Sequence, residues 1–90
     1  MYNDFCSEGF MLKRPLALDA IQVRLAGLGK MVSLGPRGFR FIPEDRRWPP
    51  TYFNPDGSFE VIMKDLDYDD VLNYVDELSL RLGVEVLQGA

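Results

Sequence analysis

Residues 51–88, TYFNPDGSFEVIMKDLDYDDVLNYVDELSLRLGVEVLQ, carry the clearest structural signals in the chain. Residues 54–57, NPDG, place Pro second and Gly fourth, as a type I turn prefers, and aromatic residues lie on both sides. This pattern predicts a hairpin of two short strands. The amphipathic segment that follows predicts a helix over residues 68–82, and residues 84–88 predict a final strand.

Helix 68–82 has predicted boundaries on both sides. Asp67 is a good N-cap, and Gly83 can adopt the left-handed conformation that ends many helices. On a helical wheel one side is apolar, and we predict that it packs on the core: Val71, Val75, Leu78, Leu82 and, at its edge, Tyr74. The opposite side is polar apart from one leucine, and we predict that it binds a partner: Asp69, Asn73, Asp76, Glu77 and Leu80.

Two interpretations of this acidic face compete. Asp69 and Asp70 lie in the first turn of the helix, where the helix dipole favours anions. That explanation does not reach Asp76 and Glu77, which come later in the helix. Leu80 among carboxylates is either ordinary solvated surface or the apolar anchor of an interface with a charged rim.

The first half of the chain predicts one more helix and one more hairpin. Residues 16–28 are rich in Leu and Ala and predict the helix, with Gly29 as its stop. Residues 30–34 and 38–42 predict two strands around the turn GPRG. In the second of these strands the two phenylalanines share one face, and Arg40 lies on the other.

The order of elements predicts an α+β fold. Three prolines in residues 43–50 predict an irregular loop, and residues 9–13 are a candidate for an extra strand. We therefore expect one domain, residues 1–90, with a small antiparallel sheet of four to five strands and two helices packed on its apolar face. A ferredoxin-like arrangement is one version of this architecture.

The composition excludes several kinds of site. The chain has no histidine and one cysteine, Cys6, so a Cys/His zinc site, a His-dependent catalytic triad and an internal disulfide are all ruled out. We expect a cytoplasmic, non-enzymatic protein without metal or cofactor. No apolar run approaches the roughly 20 residues that span a bilayer, so we expect no membrane association. Asp65, Asp67 and Asp69 have the alternate spacing of a calcium loop, but Asp70 stands where that loop needs glycine.

The net charge of −4 hides an asymmetry between the two halves. Residues 1–50 have eight Lys or Arg against five Asp or Glu, whereas residues 51–90 have two against nine. The acidic half predicts a protein partner with a basic surface, and a head-to-tail homo-oligomer is an alternative use of the asymmetry. We expect an inhibitor or an immunity- or antidote-type protein, of which a phage-type inhibitor that mimics nucleic acid and blocks a basic nucleic-acid-binding surface is one form.

A secondary candidate patch combines basic and aromatic residues, which can grip phosphates and bases: Arg37, Arg40, Arg46, Arg47 and Trp48. Residues 24–44, RLAGLGKMVSLGPRGFRFIPE, resemble the recognition helix and wing of winged-helix response-regulator DNA-binding domains. The resemblance implies that helix 16–28 enters the major groove and that hairpin 31–42 is the wing, with Arg37 and Arg40 near DNA. DNA binding is the alternative to the protein-binding hypothesis, and the acidic second half makes a nucleic-acid partner the weaker expectation.

Overall fold

A computed structural model describes residues 7–63 and 66–88. Between residues 7 and 50 the structure has one helix, α1 (Leu18–Leu25), a short 3₁₀ turn (Gly35–Arg37) and three strands, β1 (Ser7–Leu12), β2 (Gly29–Ser33) and β3 (Phe39–Pro43). The described residues from 51 onward form one helix, α2 (Tyr68–Leu82), and three strands, β4 (Thr51–Phe53), β5 (Ser58–Ile62) and β6 (Val86–Gln88).

The six strands form one antiparallel sheet in the order β2-β3-β4-β5-β1-β6. The predicted α+β class with two helices is confirmed, but the sheet has six strands rather than four or five. The first strand is a full member of the sheet, because β1 lies between β5 and β6 and pairs with both. The ferredoxin-like version is not confirmed.

A row of phenylalanines forms the centre of the core. Phe10, Phe59, Phe53 and Phe39 face one another in register across four neighbouring strands, with adjacent ring centroids 5.1–5.5 Å apart. Aromatic pairs at such distances add about 0.5–1.5 kcal/mol each beyond their buried area. Both helices cover this face of the sheet: Ile21 and Leu25 of α1 are buried, as is the apolar stripe of α2.

Helix α2 has the boundaries that its sequence predicts. The Asp67 side chain accepts a hydrogen bond from the Asp70 amide at 3.0 Å, so it is the N-cap. Gly83 ends the helix with φ 71° and ψ 22°, the left-handed conformation that glycine adopts without steric cost. The five predicted core residues of this helix are all buried.

Helix α1 is shorter than predicted, and the expectation that Gly29 stops it is wrong. The helix ends at Leu25, because Ala26 has an extended ψ of 137°, and Gly27 turns the chain with φ 86°. Gly29 instead begins β2 opposite Pro43, where the strands lie so close that a Cβ atom would overlap the Ile42 carbonyl oxygen. Glycine is required there by close packing of the backbone and not by a helix cap.

The hairpin at NPDG is confirmed, with the Gly57 amide donating to the Asn54 carbonyl at 3.3 Å. The face of the sheet away from the helices carries Val32, Arg40, Tyr52 and Glu60 in one row across neighbouring strands. Arg40 therefore lies opposite the phenylalanines, as predicted.

Neither described helix has the length and apolar character needed to span a membrane. Cys6 and Asp65 lie outside the described residues.

Candidate protein-binding surface on helix α2

The outer face of α2 is open to solvent. Asp69, Asn73 and Asp76 are exposed, Glu77 is half-buried, and the Leu80 side chain is 76% exposed. Within residues 7–63 and 66–88, no Lys or Arg nitrogen lies at salt-bridge distance from the carboxylates of this face. Among the described residues, the carboxylates near Leu80 on this face therefore have no salt-bridge partner.

Contacts at the middle and at the C-terminal end hold α2 against the rest of the fold. The Tyr74 hydroxyl, at the middle of the helix, lies 2.6 Å from the Thr51 hydroxyl of β4, and both groups are buried. At the C-terminal end, the Arg24 guanidinium of α1 donates to the Leu82 carbonyl. A cation is favourable at that position, because the C-terminus of a helix carries partial negative charge. The outer face is thus presented by an anchored helix.

A groove of about 590 Å³ runs along one flank of α2 and is lined by both parts of the chain that the sequence singles out: Arg47, Trp48, Leu66, Asp70, Asn73, Tyr74 and Glu77. A smaller cavity of about 300 Å³ shares Arg47, Trp48 and Leu66 with it and extends toward Pro49 and Pro50. Trp48 therefore stands between two adjoining depressions. The volume of the larger one is typical of ligand sites, which fall at roughly 300–1,000 Å³.

The loop between β3 and β4 places Trp48 beside α2. The Trp48 amide donates to the Asp45 carbonyl at 3.0 Å, and the Trp48 ring packs on the Tyr74 ring with centroids 5.5 Å apart. Asp45 also accepts from Arg47 at three nitrogens, the backbone amide at 2.9 Å, Nε at 3.1 Å and Nη2 at 2.8 Å. These bonds lower the pKa of Asp45 to about 2, so Arg47 and Asp45 form a neutral pair on the loop.

The residues of the predicted basic patch lie at three separate places in the structure. Arg46, Arg47 and Trp48 line the paired cavities. Arg37 is exposed on the 3₁₀ turn between β2 and β3. Arg40 projects from β3 on the face away from the helices, and its buried Nε atom makes no hydrogen bond in the described structure.

The predicted acidic face is also shared between two flanks of the helix. Asn73 and Glu77 line the groove beside Trp48, whereas Asp76 lines a cavity of about 310 Å³ on the opposite flank, near β6. Asp70 also lines the groove, although the sequence analysis does not include it among the predicted partner-binding residues. Its spacing to Asn73 and Glu77, three and seven residues, was the available signal, because residues so spaced share one helix face.

In the part of the chain that the structure describes, no three Cys, Asp or Glu side chains converge in a way that could hold a metal ion. Residues 69–76, which a calcium loop would need as irregular chain, lie inside α2.

The chain was compared with known proteins. No protein-family model matches the sequence, and comparisons with curated proteins and with solved structures gave no significant match.

Proposed function

We propose that the protein is a non-enzymatic binding module that recognises a basic surface of another protein through the outer face of α2. The observation that carries the proposal is Leu80, 76% exposed on a helix whose other side is buried in the core. An apolar anchor inside a charged rim is the arrangement that protein interfaces favour. The carboxylates around it, unpaired within the described residues, supply long-range attraction.

The chemistry of the face suggests the class of partner. Clustered carboxylates on a rigid helix resemble a row of phosphates in charge, so a basic nucleic-acid-binding surface is a complementary partner. An inhibitor or an antidote-type protein would act by occupying such a surface. This role needs no catalytic group, which agrees with a chain that has no histidine. A head-to-tail homo-oligomer stays a prediction from the charge asymmetry.

The test reverses charges on the face and follows capture of a partner. Asp69→Lys with Asp76→Lys should lower the melting temperature only a little, since exposed substitutions usually lie within about 0.5 kcal/mol. Asp69→Lys should cost more than Asp76→Lys, because Asp69 lies in the first turn of the helix, where the dipole favours anions. The double variant should abolish or strongly slow the capture of any protein that the wild type binds at low salt. Leu80→Ala should mainly speed dissociation of the same partner.

The matched control is Asp19→Lys with Glu60→Lys, which changes the net charge equally at exposed carboxylates away from α2. This control should bind the partner as the wild type does. Equal loss of binding in both double variants would show that overall charge, and not the face of α2, is recognised. If the variant with Asp69→Lys and Asp76→Lys binds the partner as tightly as the wild type does, the proposal is refuted.

A further inference from the structure

We propose that the groove between Trp48 and α2 is an anchor pocket for a single arginine or lysine side chain of a protein partner. The inference rests on the proposed function and deepens it, because it names the group on the basic partner that the module grips. The groove opens beside Asn73 and Glu77, which also belong to the outer face of α2. A chain lying on that face can therefore place one side chain in the groove.

The charge of the lining selects a cation. Asp70 and Glu77 contribute two carboxylates from the same side of α2, and Asn73 between them adds an amide oxygen as an acceptor. Among the described residues of this lining the only cation is Arg47, which is already bound by Asp45 through two side-chain contacts of 2.8 and 3.1 Å. These described lining residues therefore carry a net negative charge. A phosphate or a carboxylate ligand would meet two like charges.

The apolar walls select a long side chain with a charged end. Trp48, Leu66 and Tyr74 form these walls, and they can pack against the methylene groups of an arginine or lysine. An indole ring is the best aromatic partner for a cation lying over its face. The Trp48 ring is held by Tyr74, whose hydroxyl is fixed by Thr51, so little ordering is needed on binding.

The test uses Nα-acetyl-arginine amide as the probe and its citrulline analogue, which has the same shape without the charge, as the control ligand. Trp48 is the only tryptophan, so its emission and its indole N–H signal in NMR spectra report directly on the groove. We expect saturable changes with the arginine probe at about 1–10 mM, the affinity that a ligand of this size allows. The citrulline analogue should give no saturable change at the same concentrations.

Variants then separate the pocket from general charge effects. Asp70→Asn with Glu77→Gln should weaken the arginine probe by at least about tenfold, and Trp48→Leu, followed through the Asn73 amide signal, by a similar factor. Asp19→Asn with Glu60→Gln removes the same charge from other surfaces and should change the affinity by less than about threefold. Equal weakening by both charge-removing pairs would overturn the proposal. So would citrulline binding as tightly as arginine, or the absence of a saturable change at 50 mM, about five times the upper limit expected.

The outcomes also separate this inference from the function on which it rests. If arginine binds in the groove but partner capture is unaffected by reversing Asp69 and Asp76, the pocket is supported and the acidic face is rejected as the partner-binding surface. If partner capture depends on that face but the groove does not bind arginine, the proposed function is supported and the arginine pocket is rejected.

Discussion

The hydroxyl of Tyr74 on α2 lies 2.6 Å from the hydroxyl of Thr51 on β4, and Thr51 is fully buried. Thr51 also contacts the Pro49 carbonyl at 3.3 Å, so this polar contact joins the helix, the sheet and the proline loop. Burial raises the pKa of Tyr74, which is therefore a neutral donor or acceptor throughout the physiological range. Because the Trp48 ring packs on the Tyr74 ring, the contact between Thr51 and Tyr74 also fixes the position of the groove wall that Trp48 forms.

A double-mutant cycle should detect this coupling. Thr51→Val leaves the buried Tyr74 hydroxyl without its partner and should cost about 1–3 kcal/mol, and Tyr74→Phe should cost about 1 kcal/mol. The double variant should lose less than the sum of the two single losses, because neither polar group is then left unpaired. Urea unfolding of the four proteins measures these values. Strict additivity would mean that the two hydroxyls do not interact in solution.

Two leucines two positions apart on α2 should behave in opposite ways. Leu78 is 1% exposed in the core, so Leu78→Ala should cost about 2–5 kcal/mol in the free energy of unfolding. Leu80→Ala should change that free energy by no more than about 0.5 kcal/mol, because its side chain faces solvent. Thermal and urea unfolding check both values. A large loss of stability for Leu80→Ala would show that this side chain packs within the fold.

The Asp45–Arg47 pair predicts a specific titration. Arg47 hydrogen bonds hold the folded pKa of Asp45 at about 2, below its ordinary value of 3.8. A lowered folded pKa means that the pair contributes stability above pH 3.8 and loses that contribution as the pH falls toward 2. NMR of the carboxyl carbon should show Asp45 titrating near 2, and Arg47→Gln should return it toward 3.8. If Asp45 of the wild-type protein instead titrates near 3.8, the Asp45–Arg47 pair does not persist in solution.

The DNA-binding alternative gives a fourth prediction. With a net charge of −4, the protein should bind random duplex DNA more weakly than the roughly 10⁻⁴–10⁻⁶ M typical of non-specific binders at physiological salt. The winged-helix hypothesis places α1 in the major groove, but Arg24, the basic residue within this helix, already donates to the Leu82 carbonyl within the fold. Fluorescence anisotropy with labelled duplex measures the affinity. Tight binding that Arg37→Ala and Arg40→Ala both abolish would instead favour the winged-helix hypothesis.

Local signals in the sequence predicted the parts of this fold that local interactions determine. Helix α2 was predicted residue for residue, because a capping aspartate, an apolar period and a terminal glycine all agree. The place of β1 inside the sheet was not predicted, because strand order depends on pairing between distant residues. The groove was missed for the same reason. Trp48 and Tyr74 were assigned to different features, and only the tertiary fold places their rings 5.5 Å apart.

The interior position of β1 has a consequence for synthesis on the ribosome. Residues 7–12 are synthesised before the other described strands, whereas their two strand partners, β5 and β6, are synthesised about 50 and 75 residues later. The nascent chain must therefore hold Phe10 and Leu12 without their final neighbours until β6 has been made. Such non-local pairing slows folding, and a chain truncated before β6 would leave the edge of β1 unpaired at residues 10–12 and open to aggregation.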